Sequence, residues 1–348
     1  MHISKKEKAP LPKPGEKNET SPLEVLSNIL AEDMHAVNAL IIQNMHSDIS
    51  LIPTLAQYLI SAGGKRIRPL LTLAGTAIFD GPMHKSYHLA AAVEFIHTAT
   101  LLHDDVVDES NERRGKQTAN IVFGNQASVL VGDFLFSRSF QMMVESGSLE
   151  ILRILSDAAA IIAQGEVLQL STANDIKTNL SEYMKVIESK TAALFSAATQ
   201  IGAILSDRPD EERRAMRIYG TKLGTAFQII DDALDYSADQ KKLGKEIGDD
   251  FKEGKMTAPV IFALENINEN INKEEAQFWR RTLGEKKQDQ KDFEQAMAYI
   301  MKHKALDRTV NLAQNYINQA KDALTPLPDN TYKNLLKELA DFTLSRSF

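Results

Sequence analysis

Two short acidic patterns are the residues most able to do chemistry in this sequence. Each has aspartates at positions i, i+1 and i+4 and follows an apolar run; the six residues are Asp104, Asp105, Asp108, Asp231, Asp232 and Asp235. In a helix, the first and last aspartate of each pattern lie on one face. One such pattern alone could be a solvated acidic surface. Two matching patterns predict carboxylates that hold a cation, and an all-oxygen site favours Mg²⁺.

Clusters of basic residues accompany the acidic patterns. Lys65, Arg66 and Arg68 follow a glycine pair, and helix N-termini bind anions through free N–H groups. Further cations follow the first pattern or surround the second: Arg113, Arg114, Lys116, Lys190, Lys245 and Lys255. Taken singly, each could belong to an ordinary ion-pair network. Because protein-bound Mg²⁺ usually shares its remaining positions with phosphate oxygens, the whole set predicts binding of more than one diphosphate.

The motifs that carry these residues resemble those of the trans-isoprenyl diphosphate synthases. They occur in order at residues 63–69 (GGKRIRP), 95–108 (FIHTATLLHDDVVD), 113–115 (RRG), 131–133 (VGD), 190–191 (KT) and 228–232 (QIIDD). The resemblance extends from about residue 22 to the C-terminus. It implies an all-α isoprenoid synthase fold, a single large helical bundle around a deep central cavity.

The resemblance also implies a reaction, the repeated 1′–4 condensation of isopentenyl diphosphate onto an allylic diphosphate. Farnesyl diphosphate is the expected primer, and the expected product is a long all-trans chain, octaprenyl diphosphate for a quinone side chain. Mg²⁺ is the implied cofactor, with Mn²⁺ able to substitute. A homodimer is the implied assembly, and contact with a membrane would be transient, for product release.

Site residues are carried over from the family motif by motif. The implied Mg²⁺ ligands are Asp104, Asp108 and Asp231, supported through water or from a second layer by Asp105, Asp232 and Asp235. The residues implied to bind the allylic diphosphate are Arg113, Lys190, Thr191, Gln228 and Lys245. The catalytic group combines the three metal ligands with Lys190, Thr191 and Gln228. The residues implied to bind isopentenyl diphosphate are Lys65, Arg68, His97 and Arg114. Lys255 departs from the family pattern, because Met256 follows it where proline is common.

Small residues one helical turn before the first acidic pattern bear on product length. Ala99 and Thr100 stand where a growing chain would pass, and bulky aromatic residues there would stop it early. We therefore expect a long product and a floor deeper in the protein, at Phe136, Phe140 and Met143. Their spacing of four and three residues is equally typical of an ordinary helical core.

Several other interpretations stay open. A shorter-chain geranylgeranyl or farnesyl synthase is one, and a terpene cyclase is another, although a cyclase has no need of the motif at 63–69. His103 beside Asp104 suggests an HD-type metal phosphohydrolase. A non-catalytic helical partner subunit would be free to lose its aspartates, yet all six are present. His84 and His88 are spaced like a metal pair, but we expect them to be ordinary helix residues.

Composition excludes several classes of protein. The 348 residues contain no cysteine, which rules out disulfides, thiolate zinc sites and iron–sulfur clusters. A net charge of −7 provides no basic surface for nucleic acid. No apolar run reaches the roughly 20 residues that a membrane span requires.

The chain is predicted to have one folded domain behind a polar tail. Residues 1–21 carry three prolines among mixed charges, a composition typical of disorder. From residue 22 onward, apolar residues recur at three- and four-residue spacing, which predicts a single all-α domain over 22–348. Because the first residues contain acids and no arginine, we expect a cytoplasmic protein rather than one with a targeting segment.

Overall fold

Helices account for nearly all the regular structure in the computed structural model, which describes residues 20–61, 63–113, 115–237, 248–265 and 272–345. In chain order the helices are α1 (Pro22–Ile29), α2 (Ala31–Asn44), α3 (Leu51–Ser61), α4 (Ile67–Ala77), α5 (Met83–Val107), α6 (Ala119–Phe123), α7 (Asn125–Glu145), α8 (Leu149–Thr172), α9 (Leu180–Ile187), α10 (Ala193–Leu205), α11 (Asp210–Asp235), α12 (Asp249–Glu253), α13 (Ala258–Leu264), α14 (Lys273–Trp279), α15 (Asp292–Lys302), α16 (Ala305–Ala323) and α17 (Thr331–Ser345). The predicted all-α fold is confirmed. Apart from its last two residues, the predicted disordered tail lies outside the described residues.

Three short elements interrupt this pattern. Two are π-helical segments, Glu188–Ala192 between α9 and α10 and Arg280–Gly284 after α14. The third is an antiparallel hairpin of two-residue strands, β1 (Glu112–Arg113) and β2 (Lys116–Gln117). The first π segment carries Lys190 and Thr191, and π-helical turns occur frequently at functional sites.

The start of the helical region shows why the chain folds locally as it does. Ser21 caps α1 by accepting a hydrogen bond from the Glu24 backbone N–H, while the Glu24 side chain accepts one from the Ser21 N–H. Pro22 occupies the first helical position, where its missing N–H costs nothing. Helix α11 begins after Pro209 with three acids in its first turn, which favour the positive end of the helix dipole.

Helix α10 crosses α4 and α11 at very short range. A Cβ atom on Gly202 of α10 would lie 2.0 Å from the backbone of Gly75 in α4, and a Cβ on Gly220 of α11 would lie 2.5 Å from the carbonyl oxygen of Phe195. Only glycine permits such crossings. Because α4 also packs against α5, these contacts set the spacing between the two helices that carry the acidic patterns.

The apolar core consists of two clusters that share α11. Met216 and Tyr219 in its first half pack into a large cluster formed with α4, α5 and α10. Ile229 and Leu234 in its second half pack into another cluster around Trp279. Burial along both halves fixes the last turn of α11, where the second acidic pattern lies.

No single helix in the described ranges is long and apolar enough to cross a membrane. The pair α1 and α2 meets the length and composition requirement only when the two helices are taken together, and they are bent by 79° at the break between them.

Candidate active site

The first acidic pattern lies at the end of α5 and points its carboxylates in different directions. Asp104 and Asp105 are in the last turn, and Asp108 is the residue after the helix, with its N–H bonded to the Asp104 carbonyl at 2.8 Å. Asp105 is buried and accepts two bonds from the Arg113 guanidinium, at 2.9 and 2.8 Å. Burial raises the pKa of Asp105, and Arg113 opposes that effect. Asp104 and Asp108 instead face lysines.

Two lysines form ion pairs with the carboxylates of Asp104 and Asp108. The Lys190 Nζ lies 2.8 Å from Glu166 Oε2 and 3.4 Å from Asp104 Oδ2. The Lys255 Nζ lies 3.0 Å from Asp108 Oδ2 and also pairs with Glu253. Burial disfavours the charged form of both lysines, yet the surrounding carboxylates outweigh it and raise the pKa of each. Asp104 and Asp108 are therefore each paired with an ammonium group.

The second acidic pattern forms the last turn of α11, as the helical spacing predicts. Asp231 and Asp235 are half-buried, and Asp232 is buried. The Asp235 carboxylate accepts hydrogen bonds from the backbone N–H groups of Asp249 and Asp250, at 3.3 and 3.0 Å. Burial raises the pKa of Asp235 to about 6. Asp235 thus orders the start of α12, which leads to Lys255.

A chain of oriented hydrogen bonds runs behind the second pattern. The Thr191 hydroxyl donates to Gln228 Oε1 at 2.7 Å, and Gln228 Nε2 donates to Asp232 Oδ1 at 2.7 Å. The Tyr183 hydroxyl donates to the other Asp232 oxygen at 2.6 Å. Burial raises the pKa of Asp232 to about 7, against the lowering effect of these two donors. The chain fixes the direction of the Gln228 amide, so its carbonyl oxygen faces Thr191.

These groups line a cavity of about 110 Å³. Its polar wall contains Lys190, Thr191, Gln228, Asp232 and Lys255. The structure therefore brings together Lys190, Thr191 and Gln228, which were predicted site residues, and Asp232, which was predicted to support the metal ligands. It adds Lys255, whose role the sequence left open.

A second cavity, of about 80 Å³, is lined in part by Asp105. Its charged wall contains Arg66, Glu94, His97 and Arg113. Arg68 reaches His97 at 3.0 Å and stacks its guanidinium over the Phe195 ring, while Arg66 pairs with Glu94 at 2.7 Å.

Several predicted residues lie elsewhere or outside the described ranges. Arg113, which the resemblance assigns to the allylic diphosphate, lines the cavity that contains His97, and its positive charge also acts on Asp104. The exposed Lys65 lines a separate narrow cavity with Phe227 and Phe342. Arg114 and Lys245 are outside the described residues.

The residues predicted to govern product length lie on α5 and α7, which pack against each other. Ala99 and Met143 are fully buried. Phe136 and Phe140 pack edge to face at 5.4 Å between ring centres. The Thr100 hydroxyl bonds to the His97 carbonyl at 2.9 Å, so this side chain is tied to its own helix.

His103 and His88 contact exposed residues of α7. His103 Nε2 lies 3.5 Å from Asp133 and 3.2 Å from the Val129 carbonyl, both on α7. His88 lies 3.6 Å from the exposed Glu145. Within the described ranges, no three histidine or acidic side chains are grouped closely enough to hold a metal ion, so the predicted ligands would have to close around a cation.

Sequence reasoning missed Glu166, Tyr183, Asp250 and Glu253. Tyr183 is hard to find because its partner Asp232 is 49 positions away. Glu166 had a usable signal. It stands four residues after Ile162 and directly after Gly165, both buried on the inner face of α8, so a carboxylate occurs at a core-facing position.

Comparison with known proteins identifies the family of this chain. The model of the polyprenyl synthetase family matches residues 49–300. The octaprenyl diphosphate synthase of Escherichia coli K12 is 46% identical over 93% of this chain and 99% of its own. A decaprenyl diphosphate synthase structure from Rhodobacter capsulatus has a TM-score of 0.88 at 48% identity, covering 94% of this chain and 100% of its own.

A second solved structure carries ligands. The polyprenyl synthase from Caulobacter crescentus CB15, complexed with calcium and isoprenyl diphosphate, has a TM-score of 0.89 at 46% identity and covers 95% of this chain and 100% of its own. These neighbours share the all-α isoprenoid synthase fold. Since the family match spans most of the sequence and the relatives span nearly all of it, the chain belongs to the polyprenyl synthetase family and is a prenyltransferase.

Proposed function

We propose that the enzyme condenses isopentenyl diphosphate onto an allylic diphosphate, with each diphosphate bound on a different side of the α5 terminus. The observation that supports this proposal is the position of the two cavities. Asp104 and Asp108 contact Lys190 and Lys255, which line the first cavity, whereas Asp105 and Arg113 line the second. A site for one anion would need only one such cavity. Lys190 and Lys255 suit the allylic diphosphate, and Arg68 with His97 suits isopentenyl diphosphate.

We propose Asp104, Asp108 and Asp231 as the ligands of Mg²⁺, with Mn²⁺ able to replace it. The donors are all oxygen, as Mg²⁺ prefers, and the ammonium groups of Lys190 and Lys255 already stand in for cations at two of them. The Caulobacter crescentus complex, which contains both calcium and isoprenyl diphosphate, supports a divalent cation in this enzyme. When bound, the metal neutralises charge that develops on the departing diphosphate.

The chain's own residues then supply binding and electrostatics. In each step the allylic C–O bond breaks, a C–C bond forms to isopentenyl diphosphate, and a proton leaves with the released diphosphate. Lys190 and Lys255 stabilise the leaving group, and the oxygens of Thr191 and Gln228 lie on the same cavity wall, where they can face the allylic cation. Because Gln228 is held by Asp232, its carbonyl dipole needs no reorientation during the reaction.

We further propose that the product is octaprenyl diphosphate, with farnesyl diphosphate as the primer. Similarity to the Escherichia coli octaprenyl enzyme supports this length, as do the small side chains at Ala99 and Thr100. The decaprenyl enzyme from Rhodobacter capsulatus is 48% identical, so the product length must be measured. A geranylgeranyl or farnesyl product is the alternative.

Incubation with Mg²⁺, labelled isopentenyl diphosphate and farnesyl diphosphate tests the proposal. We expect a lipid-extractable product that, after dephosphorylation, elutes with octaprenol in reversed-phase chromatography. A different chain length would overturn only the octaprenyl assignment. Absence of any extractable product would overturn the condensation itself.

We propose a homodimer that covers the exposed apolar faces of α7 and α8. Leu130 and Val144 on α7 are 68% and 63% exposed, and Val167 and Leu170 on α8 are 68% and 59% exposed. Exposed apolar residues grouped on neighbouring helices are typical of an interface. Light scattering should give twice the chain mass for the wild type and a lower mass for Leu130→Glu.

The product gives a reason for contact with a membrane. A long prenyl chain is apolar, and we propose that the enzyme touches the bilayer only while releasing it. Vesicle flotation should recover the enzyme with lipid when both substrates are present and not in their absence.

A further inference from the structure

Glu166 is a charged residue of α8 to which the proposed reaction assigns no part. Its side chain is 25% exposed, and its Oε2 lies 2.8 Å from the Lys190 ammonium. This is shorter than the 3.4 Å between Lys190 and Asp104. Glu166 is therefore the nearer of the two carboxylates that hold this lysine.

The approach of Lys190 to Glu166 is built into the backbone. A Cβ atom on Gly165 would lie 2.7 Å from the Ser189 Cβ and 3.0 Å from the Lys190 nitrogen. Only glycine lets the π-helical segment pack this closely on α8, which places Lys190 directly beside the next residue, Glu166.

Lys190 is shared by two carboxylates, Asp104 and Glu166, and the side chains of Lys190 and Asp104 are only 23% and 13% exposed. A divalent cation on Asp104 would repel the Lys190 ammonium from that carboxylate. Lys190 would then depend on Glu166 alone.

The Glu166 carboxylate has capacity for this. Its Oε1 is buried and has no hydrogen-bond partner among the described residues, while Oε2 accepts from Lys190. A lysine ammonium has three donors. A second N–H of Lys190, once released from Asp104, can therefore turn to Oε1 and leave the third directed at the cavity.

We propose that Glu166 is a positioning residue that retains the Lys190 ammonium when a cation takes Asp104, so that Lys190 remains directed at the allylic diphosphate. This inference rests on the proposed function. The Glu166 carboxylate acts through Lys190 and does not itself contact the substrate.

Binding of a non-reacting allylic ligand tests this inference. Calorimetry would measure the Kd of farnesyl thiodiphosphate in the presence of Mg²⁺, and separately the Kd of isopentenyl diphosphate. We expect Glu166→Gln to weaken the allylic ligand by about tenfold, as for loss of a charged hydrogen bond, and to leave isopentenyl diphosphate within about twofold. Glu166→Asp, which keeps the charge, should recover part of the loss. The control Asp157→Asn removes an exposed acid from the same helix and should change neither Kd.

A double-mutant cycle separates positioning from a general field effect. In a Lys190→Met background, Glu166→Gln should cause no further loss of affinity. An equal loss in that background, or wild-type affinity in Glu166→Gln itself, would overturn the proposal. If Glu166→Gln does not fold, Glu166→Asp against wild type gives the same comparison on a smaller scale, and unchanged binding there overturns it. Failure of the proposed function differs, because the wild type would then bind neither diphosphate.

Discussion

The Lys255 ammonium lies 3.0 Å from the Asp108 carboxylate and joins the segment after α12 to the end of α5 across 147 positions of sequence. Three carboxylates raise the pKa of this lysine against the effect of its burial. Asp250 has the largest effect, followed by Asp108 and Glu253. Lys255 therefore pairs with Asp108, a predicted metal ligand, and lines the cavity proposed for the allylic diphosphate.

Lys255→Met should make the free enzyme bind a divalent cation more tightly. Removing the ammonium frees Asp108 and takes away a positive charge that opposes the cation, and we expect the Kd for Mn²⁺ to fall by about tenfold, about 1.4 kcal/mol. Electron paramagnetic resonance of Mn²⁺ without substrate measures this. Turnover should fall in the same variant, because the diphosphate loses a ligand.

The matched control is Lys252→Met. Lys252 is 54% exposed and pairs with Asp249 at 3.2 Å, and exposed pairs contribute little. An unchanged Mn²⁺ affinity in Lys255→Met would show that Lys255 does not compete for Asp108.

Tyr183→Phe should lower both stability and turnover. The variant leaves one oxygen of the buried Asp232 without its 2.6 Å donor, at a cost of about 1–3 kcal/mol. We also expect kcat to fall by about tenfold, since Asp232 orients Gln228. Thermal unfolding and steady-state kinetics measure the two effects.

Tyr87→Phe provides the comparison, because the Tyr87 hydroxyl donates to Asp33 at 2.7 Å away from the cavity. It should lose stability and keep its turnover. Wild-type turnover in Tyr183→Phe would remove the hydrogen-bond chain from the account of catalysis.

Met143→Ala should lengthen the product. Met143 follows Phe136 and Phe140 along α7, and its side chain is fully buried. Truncating it opens space at an expected cost of about 2–5 kcal/mol. Reversed-phase chromatography of the dephosphorylated products should show a shift to longer chains. Met142→Ala truncates the equally buried neighbour and should not shift the distribution. An unchanged product pattern in Met143→Ala would exclude Met143 as the floor.

Asp292→Asn should destabilise the protein at neutral pH and much less in acid. Arg281 holds the Asp292 carboxylate at 2.6 and 2.8 Å, and this bond lowers the pKa of Asp292 against the opposing effect of burial. A lowered pKa contributes stability above the ordinary carboxyl range, and that stability is lost as pH falls through the folded-state pKa. We expect a loss of about 1.5–3 kcal/mol at pH about 7 that shrinks below pH about 4. Denaturant unfolding across pH measures it, and a constant difference would contradict the assignment.

Helical placement of the two acidic patterns was predictable because it depends on local spacing. Apolar residues at three- and four-residue intervals predict α5 and α11, and the i, i+1, i+4 aspartates then fall at the C-terminal ends of these helices. The family motifs likewise depend on residues close together in sequence, and the comparisons confirm the family.

The sequence alone therefore determined the fold class, the family, the two acidic helix ends and the class of reaction. Only the tertiary structure decided which charge meets which. It turned Asp105 toward Arg113 and Asp104 toward Lys190, brought Lys255 to Asp108, and placed Glu166 behind Lys190. The reason is physical: a helix and its facing residues follow from contacts three and four positions apart, whereas a partner for a buried charge depends on how closely distant helices cross. For Glu166 and Lys190, Gly165 permits the close approach, and no spacing rule in the sequence predicts it.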